Sequence, residues 1–182
     1  SDAGAKILQN LDNENKPLFH VANKDTLSKA AKTIKSWIDN NTQGKSFELQ
    51  LPIRVQKMVR EAMGRDFDSH NITSNGVRHG LKNHGIGGNK LTDLSIPITK
   101  ENAELIPYIM VAPDSVTKGS TDVTGRESVR FYRDLSNGYV VVVEKEYKNS
   151  PDDLETITMW AELSKATNAR KNAPDTHVRN AI

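Results

Sequence analysis

The spacing of apolar residues predicts two helices in the first third of the chain. Between residues 27 and 40, apolar side chains recur three and four positions apart, which is the spacing of one face of an amphipathic helix. Residues 25–26, an Asp-Thr pair, supply an N-cap for it. A second helix is expected to open at Pro52, to continue through Met63 and to end at Gly64.

A third, shorter helix is predicted over residues 77–85, and it contains two of the five histidines. At about 100° per residue, Val77 and His84 fall in one narrow stripe, whereas His79 points to nearly the opposite side. Gly85 occupies the position where helices often end in a left-handed residue. The two imidazoles therefore have different surroundings and are not expected to do the same work.

The segments on either side of this helix are less regular. Residues 65–74 are polar and predict a linker, whose last residues cap the histidine helix. Thr99 is expected to cap a short helix over residues 100–106, while residues 108–112 fit either a strand or the end of that helix. Residues 165–182 predict a loose polar tail.

After residue 116 the apolar period changes to two, which is typical of strands. Residues 128–133, 139–147 and 154–161 predict three strands, and their short connections require an antiparallel meander. In the last of these, Ile157 and Met159 alternate with two threonines and a tryptophan. The sheet therefore has one apolar face and one face bearing hydroxyls, an aromatic ring and an arginine.

Composition narrows the class of protein. The chain has 182 residues, of which 36% are hydrophobic and 26% charged, enough for one ordinary core. No apolar run approaches the roughly 20 residues that cross a bilayer, and no secretory signal is visible, so we expect no membrane association and a cytoplasmic location or delivery into the cytoplasm of a target cell. The absence of cysteine excludes disulfides and thiolate catalysis. With a net charge of only +2, a nucleic-acid surface would require local clustering of cations.

Several kinds of catalytic site are disfavoured by the spacing of the reactive residues. His79 and His84 are five positions apart, not the three or four that places two metal ligands on one helical face, so no metal is expected. No serine lies in a strained glycine elbow, and the glycines at 85–88 follow a helix rather than a strand, so neither a serine nucleophile nor a bound cofactor is expected.

Acid-base chemistry with cationic stabilisers remains. Cleavage of RNA through its own 2′-hydroxyl requires a base, an acid and cations around the phosphorus. His84 lies on the core-facing stripe and is expected to face the sheet, where Arg130, Lys145 and Thr158 would bind phosphate oxygens. The alternative is that His84 only caps its helix and His79 is solvated. The spacing of the residues, taken alone, favours this alternative.

The order of motifs carries a family resemblance. The pair Leu51-Pro52 is followed by a helix, by Gly64, by a polar linker and then by residues 74–85, SNGVRHGLKNHG; residues 98–101, 111–116 and 154–160 continue the pattern. Over residues 50–165 this order resembles the nuclease domains of phage and mobile-element polyvalent proteins. These domains belong to the barnase-EndoU-colicin-RelE (BECR) class.

The resemblance implies an α+β fold in which N-terminal helices pack on a four-stranded antiparallel meander sheet. It also implies a metal-independent RNA endonuclease, a toxin or effector without a cofactor, that cuts RNA such as transfer RNA and has an inhibitory immunity protein as partner. The residues it carries over as catalytic are His79, His84 and Thr158. The substrate-binding residues are expected to be Arg130 and Lys145 on the strands and Arg78 and Lys82 on the helix.

The same reading divides the chain into three parts. Residues 1–50 form a lead-in and helical annex, residues 51–165 the BECR-like nuclease domain, and residues 166–182 a polar C-terminal tail. An alternative function is open: a catalytically inactive RNA- or protein-binding domain of a larger phage or mobile-element polyprotein.

Overall fold

The chain has a mixed α+β fold. A computed structural model describes Gly4, residues 23–135 and residues 138–172, with side chains up to residue 169. The helices of these residues are α1 (Lys24–Asp39), α2 (Ile53–Met63), α3 (Ser74–His84), α4 (Lys100–Glu104), α5 (Ile106–Val111) and α6 (Ser164–Asn172). The strands are β1 (Ser46–Glu48), β2 (Ser69–Thr73), β3 (Ser95–Ile96), β4 (Ser115–Lys118), β5 (Ser128–Asp134), β6 (Tyr139–Tyr147) and β7 (Ser150–Glu162).

All seven strands belong to one open sheet, wider than the four-stranded sheet expected from the resemblance. Its order is β1-β2-β7-β6-β5-β4, and β3 pairs with the end of β7. Strands β4 to β7 are antiparallel neighbours in chain order, whereas β2 runs parallel to β7. Strand β7 is therefore central, with β6 on one side and both β2 and β3 on the other.

Two segments differ from the sequence prediction. The polar linker predicted over residues 65–74 is wrong, because Ser69–Thr73 forms β2, in which His70 and Ile72 are buried. The chain is polar there because His70 pairs with Glu144 inside the protein. The predicted loose tail is also wrong as far as residue 172, which lies in α6; residues 173–182 lie outside the described residues, as do residues 5–22 of the predicted lead-in.

The predicted helices α1 to α4 are present, but the predicted N-cap of α1 at residues 25–26 is wrong, because α1 begins at Lys24 and the side chain of Asn23 caps it by accepting from the backbone N–H of Thr26. Thr73 caps α3 by accepting from the backbone N–H of Gly76, and Thr99 caps α4. The helix α2 ends at Gly64, which has φ 80°. Gly85 does not adopt the predicted left-handed conformation; its φ is −84°, and it is required because a Cβ would collide with the carbonyl oxygen of Leu81.

The main core lies on one face of the sheet. Side chains of α1, α2, α3 and α5 pack there against Val129, Phe131, Val142, Leu154 and Met159. Because α1 contributes Leu27, Ile34 and Trp37 to this core, it packs together with the rest of the chain, and the predicted domain division remains a prediction. No helix among the described residues is long and apolar enough to span a membrane.

The opposite face of the sheet is buried as well. Its apolar cluster consists of Tyr132, Val141, Val143 and Trp160, with Tyr139 and Ile157 packed against it. The sequence pattern correctly separates Val129 and Phe131 from Tyr132. Below, this opposite face is called the second face.

Candidate functional site

The helix α3 lies directly on strand β7. Gly76 and Gly80 face the strand, where a Cβ on Gly76 would collide with the carbonyl oxygen of Thr156 and one on Gly80 would lie 2.9 Å from the backbone nitrogen of Met159. The hydroxyl of Thr73 also donates to the carbonyl oxygen of Thr156 at 2.8 Å. Because the two glycines are one helical turn apart, backbone approaches backbone without an intervening side chain.

The two histidines of α3 lie on different sides of it, as the spacing predicts. Val77 is fully buried and His84 is 9% exposed, whereas His79 is exposed. The side-chain amide nitrogen of Asn83 lies 3.0 Å from Nε2 of His79 and 3.2 Å from its Nδ1.

An open cleft of about 400 Å³ lies between α3 and the hairpin of β6 and β7. It is called the β7 cleft below. Its lining includes Lys45, Asn75, His79, Tyr147, Glu155 and Ile157. An imidazole from the helix and a carboxyl group from the sheet thus share one solvent-open space.

Glu155 is the carboxyl group of this cleft, and its surroundings alter its acidity. Arg126 Nη2 lies 3.5 Å from its Oε1, and Lys145 is its neighbour across the β6–β7 pair. Burial raises the pKa of Glu155 above its ordinary value, although Arg126, Lys145 and the hydroxyl of Tyr147 oppose the rise. Burial, followed by the charge of Glu155, raises the pKa of Tyr147 in turn.

A register shift in β7 brings Glu155 to the second face. The pairing with β6 changes between Val143 and Glu144, so that Thr158 opposes Val143 but Thr156 opposes Glu144. The prediction that Ile157 and Met159 share one face is therefore wrong: Ile157 packs on the second face, while Met159 lies in the main core. Such an irregularity has no local signature in this sequence, which is why alternation missed Glu155.

Lys145 is engaged by a loop next to the cleft. Its Nζ lies 2.5 Å from Oδ2 of Asp122, whose other oxygen accepts from the hydroxyl and backbone N–H of Thr124 and the backbone N–H of Arg126. Burial favours the protonated form of Asp122, but the hydrogen bonds from Lys145 and Thr124 outweigh it and hold its pKa well below the usual range. Lys145, predicted as a substrate-binding residue, thus anchors the loop that supplies Arg126.

Three other predicted residues belong to the buried second face rather than to the lining of the β7 cleft. Thr158 is fully buried and Arg130 is 6% exposed. The guanidinium carbon of Arg130 lies 5.8 Å from the ring centroid of Trp160 and its Nη2 donates to Ser120 Oγ, while the ring of His84 lies 5.9 Å from that of Trp160. The structure therefore groups His84 and Arg130 around Trp160, on the face that also carries Thr158.

The remaining predicted residues, Arg78 and Lys82, lie on the outer side of α3. They line a second cleft of about 520 Å³, called the α3 groove below, together with Ile38, Leu81, Lys100 and Asn41. Asn75 and His79 line both clefts, so the two clefts adjoin at these residues.

Comparisons with family models, with curated proteins and with solved structures find no match to this chain. The BECR resemblance accordingly rests on the chain's own motifs. Among the described residues, no group of three or more His, Cys, Asp or Glu side chains is arranged to hold a metal ion.

Proposed function

We propose that this protein is a metal-independent RNA endonuclease whose reacting groups lie in the β7 cleft. The observation that carries the proposal is that the imidazole of His79 and the carboxyl group of Glu155, whose pKa is raised, line the same open cleft. A pair of titratable groups of different acidity across a cleft is what concerted acid-base catalysis requires.

In the proposed reaction Glu155 acts as the base and His79 as the acid. Glu155 accepts the proton of a ribose 2′-hydroxyl, whose oxygen attacks the adjacent phosphorus. The bond from phosphorus to the 5′-oxygen breaks, and His79 gives a proton to that oxygen. The products are a 2′,3′-cyclic phosphate and a 5′-hydroxyl, and the step as written uses neither water nor a metal ion.

The cations near the cleft suit the charge that develops in this step. Lys45 lines the cleft, and Arg126 lies 3.5 Å from Glu155. Cations fixed near a phosphorane-like transition state stabilise it more than they stabilise the ground state. A raised pKa also makes the Glu155 carboxylate a stronger base than an ordinary solvent-exposed carboxylate.

The proposal changes the roles that the resemblance assigns to two residues. His84 and Thr158 are buried on the second face, so in this proposal they support β7 and α3 and do not touch the substrate. We also propose a BECR-like fold for this chain. The meander of β4 to β7 with helices on one face supports it, and β1 to β3 would be additions to that fold. A toxin or effector role, transfer RNA as substrate, an immunity partner and action in the cytoplasm remain predictions of the resemblance.

The proposal is tested with purified protein and an end-labelled RNA oligonucleotide of mixed sequence in the presence of EDTA. We expect cleavage to fragments that end in 2′,3′-cyclic phosphate, and no cleavage of the matching DNA oligonucleotide, which lacks the 2′-hydroxyl. Cleavage of both, or cleavage only when a divalent metal is added, would contradict the mechanism. Tight RNA binding with no product would favour the alternative of an inactive binding domain.

A further inference from the structure

The α3 groove is a second concave surface, and its lining combines two kinds of chemistry. Arg78 and Lys82 come from the outer side of α3, and Lys100 is the first residue of α4. Between these cations lie the apolar side chains of Ile38 and Leu81. Such a surface suits a ligand that carries both anionic groups and flat apolar groups.

The cations of the groove form no ion pairs with other residues of the described chain. None of the ion pairs between described residues includes Arg78, Lys82 or Lys100. Arg78 donates from Nε to Oδ1 of Asn41 at 2.9 Å, which fixes the side chain while leaving its terminal nitrogens to other partners.

Two of these cations repel one another. Arg78 and Lys82 are four positions apart on α3, where like charges face each other on the helix surface. The protein as a whole has a net charge of only +2, so three cations around one groove represent a local concentration of charge. The helix dipole favours Lys82 in the last turn of α3, whereas Arg78 and Lys100 lie outside that turn, and binding of an anionic ligand gives a physical reason for all three cations.

We infer that the α3 groove binds the RNA strand next to the scissile phosphate, with phosphates on Arg78, Lys82 and Lys100 and a ribose or base against Ile38 and Leu81. The groove adjoins the β7 cleft at Asn75 and His79, which supports this placement. An open groove lined mainly by α1, α3 and α4 suits a single strand, whereas duplex RNA is recognised across its wide, shallow minor groove. The inference rests on the proposed function for the identity of the ligand.

The test measures binding separately from cleavage. A fluorescent single-stranded RNA of twelve nucleotides, fully 2′-O-methylated so that it cannot be cleaved, is titrated with the protein at several salt concentrations. The variant carries Arg78→Gln, Lys82→Gln and Lys100→Gln. The control carries Lys24→Gln, Lys32→Gln and Lys57→Gln, which remove the same number of charges from exposed positions outside both linings.

We expect the groove variant to bind about tenfold more weakly or worse near 0.1 M salt, and the slope of log Kd against log salt to fall by roughly 2, because each phosphate contact to a single strand contributes about 0.7. The control variant should bind within about twofold of the wild type, since its lysines contact no phosphate. Equal weakening of RNA binding in both variants would overturn the inference. Displacement of the RNA by an acidic peptide of equal charge at the same concentration would also overturn it.

A second measurement distinguishes failure of this inference from failure of the proposed function. The groove variant should lose more kcat/KM on a cleavable twelve-nucleotide RNA, through a raised KM, than on a dinucleotide, which fills only the β7 cleft. If the groove variant cleaves the twelve-nucleotide RNA with an unchanged KM, the groove inference is wrong and the proposed nuclease function is unaffected. If the wild type binds RNA without cleaving it and the groove variant binds it more weakly, the groove inference is supported and the proposed nuclease function is wrong. If the triple variant is thermally unstable, its three single substitutions are compared in the same titration.

Discussion

Gly76 and Thr156 approach so closely that a Cβ on Gly76 would collide with the carbonyl oxygen of Thr156. This contact sets the distance between α3 and the central strand, and therefore the position of His79 relative to Glu155. Gly80 repeats the contact one turn later against Met159. The two glycines lower the helix propensity of α3, and close packing against β7 accounts for their presence.

Substitution of Gly76 by alanine tests this contact. We expect Gly76→Ala to lower the free energy of unfolding by about 1–3 kcal/mol, because backbone atoms, unlike the end of a flexible side chain, must move to admit the methyl group. Urea denaturation measures the loss. The control Lys57→Ala, at an exposed helical position, should change stability by no more than about 0.5 kcal/mol. An unchanged or higher stability of Gly76→Ala would mean that α3 is not held against β7 in this way.

The acidity of Glu155 predicts the pH dependence of activity. If Glu155 is the base, kcat/KM falls as the pH drops through its pKa, which burial raises above the ordinary value of 4.5. Glu155→Gln should therefore remove this acidic limb together with most of the activity. A pH–rate profile of the wild type whose acidic limb lies at or below 4.5 would argue against Glu155 as the base.

The same residue makes a prediction about stability. The pKa of Glu155 is higher in the folded protein than in the unfolded chain. Its contribution to the free energy of unfolding is therefore fully present below the pKa of the unfolded chain and is lost as the pH rises through the pKa of the folded protein. At pH 7 Glu155→Gln should therefore have a Tm equal to or above that of the wild type. The matched control Glu61→Gln, on an exposed position of α2, should show no such gain. A large fall in the Tm of Glu155→Gln at pH 7 would show that the carboxylate is needed for folding.

His70 and Glu144 form a buried pair on the core side of the sheet, with Nδ1 and Oε1 2.6 Å apart. Burial lowers the pKa of His70, but the charge and hydrogen bond of Glu144 outweigh burial and raise it above 6.5. The stabilisation from this pair is therefore complete below pH 6.5 and is lost as the pH rises through the folded pKa.

Glu144→Gln should remove most of this pH dependence. At pH 6 we expect a loss of about 3 kcal/mol, because the charge interaction and hydrogen bond with Glu144 are removed and burial then disfavours the protonated ring of His70. Above the folded pKa of His70 the loss should be smaller, since the imidazole of the wild type is then neutral. Denaturant titrations at pH 6 and pH 9 measure both values. Equal losses at the two pH values would show that His70 does not titrate in the folded protein.

Local patterns in the sequence predict much of the fold. The apolar stripes predict α1, α2 and α3, Gly64 is correctly predicted to end α2, and alternation predicts β5 and β6 within one residue at each end. The opposite orientations of His79 and His84 also follow from the helical period. In each of these cases the residues that determine the structure lie within a few positions of one another.

The missed features depend on partners far away in the sequence. Strand β2 is polar because His70 pairs with Glu144, 74 positions later, so the segment itself resembles a linker. The role of Glu155 depends on the register shift in β7, which reverses the alternation between Thr156 and Thr158. Reasoning from one segment at a time therefore located His79 but not the carboxyl group that shares its cleft.

The central claim is most directly tested by comparing His79→Ala with His84→Ala in the cleavage of one RNA oligonucleotide in EDTA, with the Tm of each protein measured alongside. We predict that His79→Ala keeps the wild-type Tm and loses cleavage by about 100-fold or more, as expected for removal of a general acid. His84→Ala should instead lower the Tm, because the buried ring packs against Trp160, and should keep substantial cleavage at a temperature where it is folded. Full activity in His79→Ala, or abolished activity in a stably folded His84→Ala, would contradict the assignment of the reaction to the β7 cleft.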